Sequence, residues 1–389
     1  MIRTSHSMRY YWLGFLALGL VAILALFACS KATSTPPPRP TSTPTPTAMA
    51  NQPTPTPTPT AGVKVRLNGA GATFPFPLYS KWFDEYAKVS NTEVNYQAIG
   101  SGGGIKAVTE GTVDFGGSDG IMTAQQEADA AAANGPILHI PMTMGAVAVV
   151  HSVPNMSAGQ LRLTPEVLSE IYLKKITKWN DPKITAVNPG LSLPSTDIAV
   201  VHRSDGSGTT YIFTNYLSKV SLEWKEKVGA GTAVDWPGDI GGKGNQGVAG
   251  QVQQVPGAIG YVELAYAMQN NLPWVSLQNA AGNFVEPTLE STTLAAQGVA
   301  LPSDMKVMIT NSENPHAYPI AGFTWLLVYV NQKDCVKGKA LAEMLWWAVH
   351  EGQSFAADLL YAALPSDAVK KAETQILSLT CDGKPLLVK

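Results

Sequence analysis

The stretch from His202 to Thr210, HRSDGSGTT, sets one guanidinium (Arg203) and one carboxylate (Asp205) just ahead of a hydroxyl-rich glycine turn that runs into an aromatic, helix-like segment. Two other turns share that vocabulary: NGAGATFP, carrying Thr73 and Phe74, and GSGGG, carrying Ser101. A helix start exposes unpaired N–H groups and the positive end of the helix dipole, so it stabilises an anion without any formal charge. Three such starts aimed at one point could replace most of the hydration shell of a small oxyanion. Singly, each is also ordinary helix-capping chemistry. Arg203 adds a planar fork that can meet two oxygens of one anion. Its other use is a surface salt bridge with Asp205, or Asp205 holds Arg203 while Arg203 holds the ligand.

Asp119, in VDFGGSD, follows a strand-like segment. A carboxylate beside a bound anion repels it unless the anion carries a proton that the carboxylate can accept. Sulfate at neutral pH has no such proton, whereas phosphate does. Asp119 is therefore either a discriminator between the two or the N-cap of the following helix. Other chemistries fit less well. A serine hydrolase built on Ser207 or Ser101 needs a base, and only His202 is near; strand alternation sends it to the face opposite Arg203. No paired carboxylates, histidine cluster or Cys-x-x-Cys suggests a metal, and no cofactor is expected. GGKGNQG at 241–247 lacks the full spacing of a phosphate-binding Walker loop and reads as a surface turn.

The elements that must position these turns alternate. From Val63 onward, strand-like runs, glycine turns and amphipathic runs follow one another, which predicts an α/β body with parallel sheets covered on both faces. In such sheets ligands lie beyond the carboxyl ends of the strands. A second unit starts near residue 144. The late apolar strand IAGFTWLLVYV has no obvious partner nearby in sequence, so it is expected to return to the first unit and make a second crossing, hence a hinge.

The chain ends set the context. Residues 1–29 combine Arg3 and Arg9, an apolar run from Trp12 to Phe27, and LFAC, which resembles a bacterial lipobox with Cys29 as the lipidated residue; an uncleaved membrane anchor is the alternative. Either places the body outside the cytoplasmic membrane. Residues 30–61, rich in Pro and Thr, read as a disordered tether. With the basic residues of that leader set aside, the body carries a net charge of about −6, so it does not recruit nucleic acid through a basic field, and any anion needs a local site. Cys335 and Cys381 are either a disulfide staple on the C-terminal segment or two free buried thiols.

The motifs NGAGATFP, YQAIGSGGG, VDFGGSD, VVHRSDGSGT and PGAIGYVELAYA together resemble the phosphate-binding proteins of phosphate-specific ABC transporters, class II solute-binding proteins of the periplasmic type, from about Val65 to Leu386. That resemblance implies two α/β lobes joined by a hinge, 62–143 plus 318–389 and 144–317, closing on a dehydrated anion. It implies ligand contacts from Thr73, Phe74 through its backbone amide, Ser101, Asp119, Arg203, Ser207, Gly208 and Thr209, with Asp205 behind Arg203. It implies capture rather than catalysis by a monomer that hands inorganic phosphate to a permease driven by an ATPase. Another tetrahedral oxyanion, or phosphate sensing without transport, keeps the same fold.

Overall fold

Three strands, β1 (Val65–Gly71), β2 (Thr92–Ala98) and β3 (Phe115–Ser118), pair in parallel and form one side of the body. The computed structural model describes residues 64–238 and 240–388; the signal read at 1–29 with Cys29, and the tether read at 30–61, lie outside the described residues. Helices α1 (Phe76–Val89), α2 (Ser101–Thr109) and α3 (Ala124–Asn134) follow these strands in turn. On the other side β5 (Ala199–Arg203), β6 (Ile240–Gly242) and β7 (Ala258–Glu263) also pair in parallel, and α4 (Gly208–Val220) and α5 (Gly244–Gln254) follow β5 and β6.

The two parallel sets are not separate sheets. The strand β4 (Ile137–His151) and the late strand β8 (Ala321–Tyr329) join them into one eight-stranded sheet of order β2-β1-β3-β8-β4-β7-β5-β6. β8 runs antiparallel to both β3 and β4. β4 is buried along nearly all its 15 residues, pairing with β8 as far as Ala146 and with β7 from Val147. The expectation of parallel sheets is thus corrected to a mixed sheet, because the two connecting strands run against their neighbours. The late strand does return to the first three strands.

This topology aims the site. β4 leaves the first set running in the same direction as β1–β3, and the second set is antiparallel to it. The carboxyl ends of both sets therefore face each other, and the turns that follow Gly71, Ala98 and Ser118 meet those that follow Arg203 and Gly242. Each set has its own aromatic core. Tyr79, Phe83, Tyr96 and Phe115 pack against one another on the first side, with Tyr96 and Phe115 stacked at 6.2 Å. Tyr172, Phe213, Trp236 and Tyr261 do so on the second, with Phe213 and Tyr261 stacked at 4.3 Å. Cys335 and Cys381 form a disulfide that ties the start of the helix Cys335–Val349 to the short strand Thr380–Cys381. Among the described residues, no helix is long and apolar enough to cross a membrane.

Candidate oxyanion site

Four helix starts, not three, converge between the two strand sets. The turn after β1 brings Thr73 and Phe74 to the start of α1. Pro75 is the N-cap there and Pro77 occupies the first turn. The Thr73 and Phe74 side chains are buried. Among the described residues no acceptor meets the Phe74 N–H, while the Phe74 carbonyl accepts from the Tyr361 hydroxyl at 2.6 Å. An unpaired N–H at a helix start is the donor that an anion satisfies.

Ser101 is the first residue of α2, and its side chain does not cap that helix. Its Oγ accepts instead from the backbone N–H groups of Asp119 at 3.2 Å and Gly208 at 2.9 Å, so it bridges the two sides of the cleft. The turns are close enough that only glycine fits between them. Gly102 N–H donates to the Gly206 carbonyl at 2.9 Å, and a Cβ on Gly100, which has φ +89, would fall 2.3 Å from Asp205 Oδ2.

Arg203 ends β5 and is 3 % exposed. Its Nε and Nη2 grip Asp205 Oδ1 and Oδ2 at 2.7 and 2.6 Å, a bidentate pair, and Nη1 reaches Thr209 Oγ1 at 3.4 Å. Asp205 Oδ1 also accepts from the Gly244 N–H at 3.0 Å. Although burial alone would raise it, the hydrogen bonds and charge of Arg203 hold the Asp205 carboxyl below its ordinary value. The pair is buried enough for its geometry to be fixed, so Asp205 orients the guanidinium. Ser207 caps α4 by accepting from the Thr210 N–H at 3.0 Å, with Gly208 and Thr209 as the first residues of the helix.

Asp119 follows β3 and is not a helix N-cap; α3 is capped by Thr123 in a capping box with Gln126. Its Oδ1 accepts from the Thr324 hydroxyl at 2.8 Å, and its Oδ2 lies against Gly208, where a Cβ would come within 2.6 Å. Burial pushes its carboxyl up to about 7, against the pull of the Thr324 hydroxyl, the Arg203 charge and the Ser101 hydroxyl. A carboxyl group poised near neutrality beside a helix start can share a proton with an anion. His202 lies on the other face of β5, its ring stacked on Trp236 at 4.9 Å.

Three participants were not singled out from the sequence. Asn245, in the GGKGNQG segment read as a surface turn, is fully buried at the start of α5. Its side chain joins Thr73 to Thr209, at 2.8 and 3.1 Å. Strand β6 followed by a glycine turn and a helix repeats the pattern of the other three sites, and that signal could have found it. Thr324 comes from β8, and nothing local marks it. Glu263 ends β7, and burial drives its carboxyl well above the ordinary range.

Two strand sets of one mixed sheet, joined by β4 and β8, thus turn four helix starts toward one another, and the chain belongs to the PBP superfamily: the PBP superfamily domain matches residues 42–344. A solved structure described as a high-affinity periplasmic phosphate-binding protein bound with phosphate (PfluDING) has the same fold, with a TM-score of 0.65 at 20% identity, covering 83% of this chain and all of that one. Within the superfamily, the chain is a member of the PstS-type phosphate-binding protein family. It is 46% identical over 302 residues to the phosphate-binding protein PstS of Xylella fastidiosa, covering 77% of this chain and 82% of that protein. It is 45% identical over 317 residues to the protein of the same name from Pasteurella multocida, covering 80% and 91%.

Proposed function

We propose that the protein captures inorganic phosphate outside the cytoplasmic membrane and delivers it to an ABC permease powered by an ATPase, with no chemistry performed on the ligand. The observation that carries this reading is Asp119: a buried carboxyl held by Thr324 against the start of α4, among N–H groups and hydroxyls suited to an anion. An acceptor in such a place favours an oxyanion that still bears a proton, which distinguishes phosphate from sulfate.

In this account the ligand contacts are Thr73, the Phe74 amide, Ser101, Asp119, Arg203, Ser207, Gly208 and Thr209. Thr73, Phe74, Ser101 and Asp119 belong to one lobe, 62–143 plus 318–389, and Arg203, Ser207, Gly208 and Thr209 to the second, 144–317. The partner exchange of β4 between Ala146 and Val147 supports a hinge there. Closure completes the site, and the closed form is what the permease recognises. Cys29 anchors a monomeric body to the membrane through the tether. Equilibrium dialysis against labelled phosphate tests the reading: one phosphate bound per chain and not displaced by excess sulfate is expected, and displacement by sulfate at equal concentration would reject it.

A further inference from the structure

A hydroxyl oxygen accepts up to two hydrogen bonds and donates one. At Thr73 both acceptor places are taken by Asn245, whose backbone N–H and side-chain Nδ2 reach Oγ1 at 3.2 and 2.8 Å. At Thr209 they are taken by Asn245 Nδ2 at 3.1 Å and by Arg203 Nη1 at 3.4 Å. The Asn245 amide cannot be turned the other way, because its Oδ1 accepts from the Glu263 N–H at 2.9 Å, and a backbone N–H only donates. Each threonine therefore keeps its own proton to give, and no acceptor among the described residues receives it.

Asn245, Thr73 and Thr209 are all at or near zero exposure, so water does not compete for these bonds. The two hydroxyls also come from opposite sides of the cleft, Thr73 after β1 and Thr209 in the first turn of α4. One amide group thus fixes the polarity of a donor from each side and ties the two together.

We infer that Asn245 is a positioning residue for anion binding: its side-chain amide sets the hydroxyls of Thr73 and Thr209 as donors into the cleft and latches one side to the other when the cleft is closed. This inference rests on the phosphate reading above. It also states why an asparagine is needed there. A carboxylate of the same shape accepts only, so Asn245→Asp would draw both threonine protons toward residue 245 and turn their lone pairs toward the anion.

The test is a double-mutant cycle read by phosphate titration calorimetry on the full chain, with native protein, Thr73→Val, Asn245→Asp and the double variant. In the native background Thr73→Val is expected to weaken phosphate binding by about tenfold to a hundredfold, the range for a hydrogen bond to a charged group. In the Asn245→Asp background the same change is expected to matter by less than about twofold, because the hydroxyl has already turned away. An equal Thr73→Val factor in both backgrounds would mean that Asn245 only supports the fold, and would overturn the inference. Should Asn245→Asp not fold, Asn245→Ala carries the same cycle, with the Thr73→Val factor reduced by about threefold as the expected result and an unreduced factor as the contrary one. Native protein that gives no heat with phosphate would instead defeat the functional reading, so the two failures are distinct.

Discussion

Asp119→Asn is the sharpest perturbation of the proposed selectivity, because it changes charge and donor pattern with almost no change of shape. The Thr324 hydroxyl, 2.8 Å from Oδ1, would continue to donate to the amide oxygen. The NH₂ group would then take the place of Oδ2 against the start of α4. Phosphate loses the acceptor for its proton, and sulfate gains a donor. An unmatched buried polar group costs about 1–3 kcal/mol, so the preference for phosphate over sulfate should fall by between about fivefold and about 150-fold. The acidity of Asp119 supplies an internal control. With burial holding the carboxyl protonated up to about pH 7, sulfate can be accepted below that pH and is repelled above it. Sulfate affinity of the native protein should fall by about tenfold per pH unit above neutrality, while that of Asp119→Asn stays flat. Competition calorimetry with both anions from pH 6 to 9 measures all of this. A phosphate-to-sulfate ratio unchanged in the variant, or a sulfate affinity that falls equally in both proteins, would refute the reasoning.

Other expectations concern stability and closure. Glu263 is fully buried, with Oε2 accepting from the Ala265 N–H at 2.9 Å and lying 3.0 Å from the Tyr361 hydroxyl, and with Oε1 lacking a hydrogen-bond partner. Its folded pKa is raised, so below the unfolded value of about 4.3 it imposes no ionisation penalty. As pH rises beyond that, the unfolded chain ionises first and stability is lost; Glu263→Gln should flatten this loss, and parallel curves of melting temperature against pH for the two proteins would contradict it. The disulfide closes a loop with a sequence separation of 46, so reduction should lower stability by about 4 kcal/mol on the loop-entropy estimate, and an unfolding midpoint insensitive to reductant would contradict it. Gly100→Ala would push a methyl group into Asp205 at a positive φ and should weaken phosphate binding far more than Gly103→Ala, whose methyl meets the Ile99 side chain; equal losses would show that the close approach of the two turns is unimportant.

The parts of the site legible in the sequence are those whose chemistry is local. Glycine beside a hydroxyl after a strand marks the turns at Thr73, Ser101 and Ser207, and the Arg203–Asp205 pair lies within three residues. Thr324 and Asn245 act on partners 205 and 172 positions away, so nothing in their immediate surroundings announces them. The segment around Asn245, GGKGNQG, lacks the spacing of a nucleotide-binding loop, yet it follows a strand and opens a helix as the other three turns do. Glu263 sits in an apolar run and ends a strand, where a single acid reads as solvent-facing; its burial comes from Tyr361 and from β4, both distant in sequence. The alternation of strands and helices predicted parallel pairing correctly within each set. It could not show that β8 inserts antiparallel between β3 and β4, since that pairing joins residues far apart in the chain.

The most direct test of the account is a crystal structure of the protein grown with phosphate. One phosphate is expected in the cleft, with an oxygen about 2.5–2.7 Å from an Asp119 carboxylate oxygen, as a charge-assisted O–H···O⁻ bond requires, and with the other oxygens on Thr73, Ser101, Arg203, Ser207 and Thr209 and on the amides of Phe74 and Gly208. Phosphate bound outside the cleft, or bound within it with Asp119 turned away, would contradict it.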